Sequence, residues 1–192
     1  MGCAASKSEG LTGGSGGNGE GGGNIVGGGH TPTTEMNVSE QNLTALDGLV
    51  PHLIKINAAD NKLAQISTEI GVCTELMVLD VSGNELTALP AEIGSCKALE
   101  ELLCFKNQIK ELPKELSGVN LPQLKILNLF NNKLRKIPNE VGTLTSVEEV
   151  NIAANKLMMV PAEAMASWSN VKVSRCGLFF LACEAVWLAR VI

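Results

Sequence analysis

The sequence predicts an α/β solenoid in which short repeated units stack upon one another. Their strands form one curved parallel sheet on the concave face, and short helical or 3₁₀ segments lie on the convex face. Three observations predict this fold. An asparagine recurs at a nearly constant interval, apolar residues recur at fixed positions around it, and every unit ends in an apolar residue followed closely by a glutamate. A disordered Gly-rich tail precedes the repeats, because its residues offer almost nothing to bury.

The recurring asparagine occupies position 9 of each unit, and we interpret it as structural and not catalytic. The predicted column consists of Asn61, Asn84, Asn107, Asn132 and Asn155, with Cys176 in a sixth unit. Stacked amides satisfy backbone groups where the chain leaves each strand, so losing one is expected to cost about 1–3 kcal/mol. Positions 1, 4, 6, 11 and 14 are apolar in all five repeats. They are expected to fill the core, since no single unit can bury its apolar side alone.

The repeat positions set the boundaries of the folded part. Residues 36–52 are predicted to be an N-terminal capping half-repeat, residues 53–167 five repeats, and residues 168–192 a sixth repeat with a C-terminal cap. The third repeat carries a two-residue insertion around Val119 to Pro122. A proline follows position 14 in repeats two to five and suits the first turn of a helical or 3₁₀ segment, and the glutamate favours the positive end of that segment.

The N-terminus carries a lipidation pattern. In residues 1–8, Gly2 follows Met1 and a serine stands at position 6, as in acceptors of myristate. One myristoyl chain holds a protein to a bilayer only marginally, and the neighbouring Cys3 can supply a second lipid by palmitoylation. Residues 9–35 are predicted to be a flexible tether between these lipids and the repeats.

Composition disfavours several classes of function. Aromatic residues make up 3% of the chain and the net charge is -5, so a nucleic-acid partner is not expected. The two histidines leave little material for acid-base catalysis, and we predict a protein without enzymatic activity or cofactor. We expect no signal peptide, because residues 1–10 contain no long apolar stretch. We also expect no transmembrane helix, because the longest apolar region, 177–192, is too short to span a bilayer and contains Glu184 and Arg190. Cys73 and Cys96 share position 21 and are predicted to be core residues, not metal ligands.

The exposed positions of the strand face carry an unusual set of apolar residues. We predict that a protein partner binds a patch consisting of Val78, Leu103, Phe105, Ile126 and Phe130, rimmed by Asp80, Glu101, Lys106 and Asn128. Apolar patches with polar rims mark interaction sites, although scattered surface apolarity is the alternative. A cationic cluster comprises Lys106, Lys110, Lys114, Lys133, Arg135 and Lys136. We interpret it as solvated surface, with contact to anionic lipid headgroups as the alternative.

The units follow L-x-x-L-x-L-x-x-N-x-L, the leucine-rich-repeat pattern. Their length, given by the spacing from Asn61 to Asn84, and the ending Leu-Pro-x-Glu-Ile-Gly, as in 89–94, resemble the intracellular Ras-group type, including the plant intracellular Ras-group-related family. The resemblance implies a leucine-rich-repeat solenoid that serves as a non-catalytic protein-protein interaction scaffold in intracellular signalling. We expect a monomer on the cytosolic face of the plasma membrane, with the cytoplasm as the alternative location. The alternative function is a regulatory subunit of an enzyme such as a protein phosphatase.

Overall fold

The computed structural model describes residues 34–168 and 172–173. They contain one parallel sheet of seven strands that neighbour one another in chain order. The strands are β1 (Glu35–Asn37), β2 (Lys55–Asn57), β3 (Val78–Asp80), β4 (Glu101–Leu103), β5 (Ile126–Asn128), β6 (Glu149–Asn151) and β7 (Lys172–Val173). One strand per unit, all parallel and joined by crossovers of about one repeat length, is the solenoid arrangement. The predicted fold class is confirmed.

Several predictions concern residues outside this described part. The lipid acceptors Gly2 and Cys3, the tether up to residue 33, and Cys176 with the remainder of the sixth unit all lie there. Strand β1 begins at Glu35, one residue before the predicted start of the capping half-repeat. Strand β7 pairs Lys172 with Glu149 and Val173 with Val150. Val173 therefore stands at position 4 of a sixth unit, 23 residues after Val150. The prediction that Cys176 continues the asparagine column at position 9 is wrong in this register, because counting from Val173 gives Cys176 position 7.

Strands β1 to β6 each direct one side chain towards the core. The central residues of β2 to β6 are fully buried, namely Ile56, Leu79, Leu102, Leu127 and Val150. Their neighbours on either side point to the opposite face, as the two-residue period of a strand requires. Positions 1, 6, 11 and 14 add further buried residues, and these stack into one continuous apolar cluster. Burying each of the larger side chains stabilises the fold by roughly 1.5–3 kcal/mol.

The convex side consists of short 3₁₀ segments, as predicted. They span Thr68–Val72, Ala91–Ser95 and Asn139–Thr143, and a short helix α1 spans Ala162–Ser167. The prolines lie at the N-cap and not inside the first turn. Pro90, for example, has φ -70 and ψ 150, because the residue that enters such a segment keeps an extended ψ. The ring fixes a compatible φ at that point.

The third repeat departs from its neighbours on the convex side. Turns replace the 3₁₀ segment between residues 114 and 120. Leu121 is 1% exposed and occupies the place in the core that Cys96 and Leu144 hold in the repeats on either side, counting the two inserted residues. The insertion therefore extends the surface without opening the core, and Val119 is left 84% exposed.

The asparagine column ties each unit to the one before it. The Nδ2 of Asn107 donates to the carbonyl oxygens of Val81 at 2.9 Å and Cys104 at 3.2 Å, and its Oδ1 accepts the backbone N–H of Leu86 at 3.0 Å. Asn61, Asn84, Asn132 and Asn155 make the corresponding bonds. The first three of these and Asn107 are 6–7% exposed, so water cannot easily replace the bonds.

Replacing Asn107 with alanine is expected to lower the free energy of unfolding by about 1–3 kcal/mol, because buried donors and acceptors of two repeats lose their partner. Urea denaturation followed by circular dichroism measures the change. Asn139→Ala, at an exposed position, is the control and should stay within about 0.5 kcal/mol of the wild type. Equal losses in both variants would contradict the structural role of the column.

Gly118 lies where two backbones come close together. Its N–H donates to Thr143 Oγ1 at 2.9 Å, and a Cβ at this position would lie 2.0 Å from the carbonyl oxygen of Thr143. That contact is with backbone of the next repeat, which cannot rotate away as a side chain can. A Cβ on Gly71 would instead meet the Glu92 Cβ at 3.1 Å.

Gly118→Ala is therefore expected to destabilise the fold by about 2–3 kcal/mol, the upper range for overpacking. Gly71→Ala should cost less than about 1 kcal/mol, because its contact with Glu92 is far less close and needs only a small displacement of that residue. Thermal unfolding of the two variants under identical conditions tests the difference. A Gly118→Ala protein as stable as Gly71→Ala would show that repeats three and four separate easily at the insertion.

Candidate functional site

The strand register brings the predicted concave residues into columns. Position 3 contains Val78, Glu101 and Ile126 on consecutive strands, since their Cα atoms are paired. Position 5 contains Asp80, Leu103 and Asn128 in the same way. Strands in a sheet are about 4.8 Å apart. The register therefore brings these side chains together on one face of the sheet. Glu101 lies between two aliphatic residues, and Leu103 lies between two polar ones.

Most of the position-5 side chains accept a hydrogen bond from the backbone just after their strand. The Oδ1 atoms of Asn57, Asp80, Asn128 and Asn151 each accept the N–H two residues further on, at 2.9–3.2 Å. Asp80 Oδ1 also accepts the hydroxyl of Ser82 at 2.6 Å. Such bonds are the Asx turns that end a strand. Asp80 and Asn128, which the sequence places on the rim of a binding site, thus also hold the turn that follows their strands.

Leu103 is the exception in this column. Its side chain cannot accept a hydrogen bond, so the third repeat lacks the Asx turn of its neighbours, and the half-buried isobutyl group lies between Asp80 and Asn128. The neighbouring repeats have a side-chain oxygen at this position, and it accepts a backbone hydrogen bond. The repeat pattern therefore gives no reason for an apolar residue here. This residue is the strongest indication of a binding function on the face.

Two phenylalanines adjoin Leu103 at the end of the strands. Phe105 and Phe130 both stand at position 7 of adjacent repeats, and the N–H of Lys106 donates to the carbonyl of Phe130 at 2.8 Å. Phe130 is 36% exposed and Phe105 is half-buried. We call the set Val78, Leu103, Phe105, Ile126 and Phe130 the concave patch. Apart from Phe130 its members are half-buried, so the patch is a shallow surface.

The turns after β1 to β6 fix the direction of the position-8 side chain. Residues Glu40, Asp60, Gly83, Lys106, Asn131 and Ala154 all have a positive φ between 53 and 64°. The left-handed conformation costs a non-glycine residue free energy, and it recurs because the turn inward to position 9 requires it. Lys106 is consequently held at the edge of the concave patch with its side chain exposed, beside Phe105.

The cysteines of the described part are packing residues. Cys73, Cys96 and Cys104 are buried free thiols, and the first two donate weakly to the carbonyls of Val50 and Ile70 at 3.4 Å. Burial, together with the neighbouring Cys73, raises the pKa of Cys96 to about 12, and burial raises the pKa of the other two. All three therefore stay protonated at neutral pH, whereas nucleophiles and metal ligands must be thiolates.

Residues 34–168 and 172–173 contain no cluster of metal-binding side chains, and no helix long and apolar enough to cross a bilayer. The three most exposed large apolar side chains of the described residues lie outside the concave patch: Val119 on the insertion, and the neighbouring Met158 and Met159. Met158 is 76% exposed and Met159 is 72% exposed. The pattern of the concave face does not point to the two methionines, although the sequence carries a signal for them. Positions 12 and 13 hold at least one polar residue in each of the other four repeats, whereas the fifth repeat has two methionines there.

Comparison with known proteins agrees with this architecture. Residues 97–140 match the family model for leucine-rich repeats in two copies. No curated protein matches the sequence significantly. Among solved structures, a leucine-rich-repeat protein of Leptospira interrogans is similar with a TM-score of 0.63 and 28% identity, over 72% of this chain and 41% of that chain.

Two further structures show the same coil. YopM from Yersinia enterocolitica has a TM-score of 0.59 and 28% identity, over 73% of this chain and 28% of its own. The ectodomain of the plant membrane receptor kinase GASSHO1/SCHENGEN3 from Arabidopsis thaliana, in complex with CASPARIAN STRIP INTEGRITY FACTOR 2, has a TM-score of 0.53 and 27% identity, over 64% of this chain and 18% of its own. This chain spans less than half the length of each of these proteins. By its repeats and its topology, the described part of the chain has the leucine-rich-repeat solenoid fold.

Proposed function

We propose that the chain is a non-catalytic scaffold in intracellular signalling, which binds a protein partner through the concave patch and is tethered to the cytosolic face of a membrane by N-terminal lipids. The binding of a partner through the concave patch is supported above all by Leu103. This residue replaces a backbone-supporting side chain with an apolar one on an exposed face, and such a replacement contributes to contact with a partner more than to the fold.

The neighbours of Leu103 make the surface suitable for a protein. Phe105 and Phe130 supply two aromatic rings at adjacent turns, and large aromatic residues dominate the binding energy of protein interfaces. Lys106 supplies a positive charge at the border, and Glu101 supplies a negative charge between Val78 and Ile126. Such charges contribute to specificity more than to affinity. The similar plant ectodomain was solved in complex with CASPARIAN STRIP INTEGRITY FACTOR 2, which supports the same kind of use of the fold here.

The tether rests on the N-terminal sequence. Gly2 supplies the α-amine for myristate and Cys3 the thiol for palmitate, so that two chains give the stable residence that one cannot. The Gly-rich residues that follow set the reach of the repeats from the bilayer, at roughly 30 Å for about 28 residues of flexible coil. A scaffold held in this way meets its partner at a membrane surface.

Leu103→Asn separates binding from folding. Asparagine restores the Asx turn found in the neighbouring repeats, so the free energy of unfolding should stay within about 1 kcal/mol of the wild type. Loss of the central apolar contact should weaken partner binding by about 30-fold, as for a residue that contributes about 2 kcal/mol. Affinity purification of the full chain with quantitative mass spectrometry identifies the partner, and titration of the purified pair measures the affinity.

Val119→Ser is the matched control, since Val119 is an exposed apolar residue of the same repeat outside the concave patch. Phe105→Ala combined with Phe130→Ala should remove the same proteins from the purification as Leu103→Asn does. If the Leu103→Asn chain recovers every protein that the wild type recovers, in equal amount, partner binding does not use this face.

For the tether, Gly2→Ala removes the acceptor of myristate and is expected to move the protein from the membrane fraction to the soluble fraction. Cys3→Ser should give a weaker, partly soluble distribution, because a single myristoyl chain binds reversibly. Cell fractionation with immunoblotting measures both, and Ser8→Ala, outside the acceptor positions, is the control. A wild-type protein found entirely in the soluble fraction would contradict the lipid tether.

A further inference from the structure

A row of cations follows the strands along one edge of the coil. Positions 10 to 13 of repeats three to five contribute five exposed cations to this edge, which we call the basic ridge: Lys110, Lys133, Arg135, Lys136 and Lys156. Backbone bonds between successive turns hold the positions together. The N–H of Lys133 donates to Ile109 at 2.9 Å, and the N–H of Lys156 donates to Leu134 at 2.9 Å. The row therefore crosses three repeats at the spacing of the sheet, about 4.8 Å per turn.

Met158 and Met159 continue the ridge at its C-terminal side. The N–H of Met158 donates to the carbonyl of Arg135 at 3.2 Å, and Met159 forms a parallel bridge with Lys136. Two long apolar side chains thus stand directly beside two cations, with about three quarters of each methionine in contact with water. Leaving them there forgoes the stabilisation that their burial would provide.

The charge of the ridge is not neutralised by the fold. Among the residues that the structure describes, the one ion pair joins Lys125 to Glu100 at 2.7 Å, and neither belongs to the ridge. Lys133 instead donates to the neutral Gln108 at 2.8 Å. Glu111 is the sole carboxylate at positions 10 to 13 of these three repeats. In a chain whose net charge is -5, five cations in one row form a distinct positive surface.

We propose that the basic ridge and Met158–Met159 together bind a bilayer that contains anionic lipid. The ammonium and guanidinium groups contact the phosphate and carboxylate groups of the lipid heads, and the thioether side chains enter the boundary with the acyl chains. Protruding cations beside protruding apolar groups suit a planar charged surface. A peptide helix, in contrast, docks into an apolar groove, and the ridge consists of side chains that project from the turns.

This contact goes beyond the proposed function because it needs no lipid on the chain. The ridge and the concave patch have no residue in common, so substitutions can address one surface at a time. If both act together, the lipids determine that the protein is at a membrane and the ridge determines which edge of the repeats faces it. Cations near an anionic surface strengthen binding by about fivefold each, enough to add to a marginal lipid anchor.

The test uses the full chain made in bacteria without lipidation, and sedimentation with vesicles. Binding is expected to vesicles in which phosphatidylcholine and phosphatidylserine are mixed seven to three, and not to pure phosphatidylcholine, with a steep loss as salt is raised. Lys133→Gln/Arg135→Gln/Lys136→Gln should lower the partition coefficient roughly 100-fold. The control Lys55→Gln/Lys62→Gln/Lys97→Gln removes the same charge from exposed sites outside the ridge and should change it less than about threefold.

Met158→Ser/Met159→Ser should lower the partition coefficient roughly tenfold, through the apolar contribution alone. Lys133→Arg/Lys136→Arg retains the charge and should bind as the wild type does. Circular dichroism spectra and unfolding midpoints should be unchanged in all these variants.

Three results would overturn the proposal. The first is equal binding of the wild type to both kinds of vesicle, or its binding to neither. The second is an equal effect of the ridge substitutions and of the control. The third is a lower unfolding midpoint for Met158→Ser/Met159→Ser, which would show that the methionines pack against another part of this chain or against a second copy. None of them bears on the Gly2→Ala result, because the vesicle assay uses unlipidated protein.

Discussion

A chain that turns sharply after a strand of three residues leaves backbone N–H and C=O groups without partners, and the buried amide at position 9 supplies those partners. Asn84 shows how closely the rest depends on it: its Nδ2 donates to Ala58 and Val81, and its Oδ1 accepts the N–H of Leu63. One side chain therefore connects the position-6 carbonyls of two units and closes the earlier unit at position 11. The stacking of the apolar columns, the register of the strands and the alignment of the concave side chains all follow from this shared geometry.

The core and the strand order could be predicted because every repeat has apolar residues at the same positions. The middle of each strand, such as Leu79 or Leu127, lies at the same position of its unit, and five concordant copies leave one register. The left-handed residue at position 8 could not be predicted in the same way. Lys106 and Ala154 adopt a positive φ there, yet neither residue type favours it, so the requirement comes from the turn and not from local preference.

The candidate site could be predicted less completely than the fold. Counting positions places Leu103, Phe105 and Phe130 on one face. It treats Asp80 and Asn128 only as rim residues, because a bond from the backbone N–H two residues further on cannot be predicted from spacing. Leu103 is unusual because it lies in the same column as these side chains and cannot accept such a bond. Met158 and Met159 show the converse: they resemble core residues by type, and their exposure depends on the side of the coil that positions 12 and 13 occupy.

The asparagine bonds have a direction along the chain. Asn132 closes the turn at Ile109, which precedes it, just as Asn84 closes the turn at Leu63. A unit emerging from the ribosome is therefore incomplete until the next asparagine has been synthesised, and the array consolidates from its N-terminus one unit behind the growing end. Shortening the array from its C-terminus reopens the turn of the last remaining unit, whereas shortening it from the N-terminus leaves that closure in place for every unit that remains. The order of synthesis and the polarity of the bonds thus agree, and the growing end is where an unfinished array stays exposed.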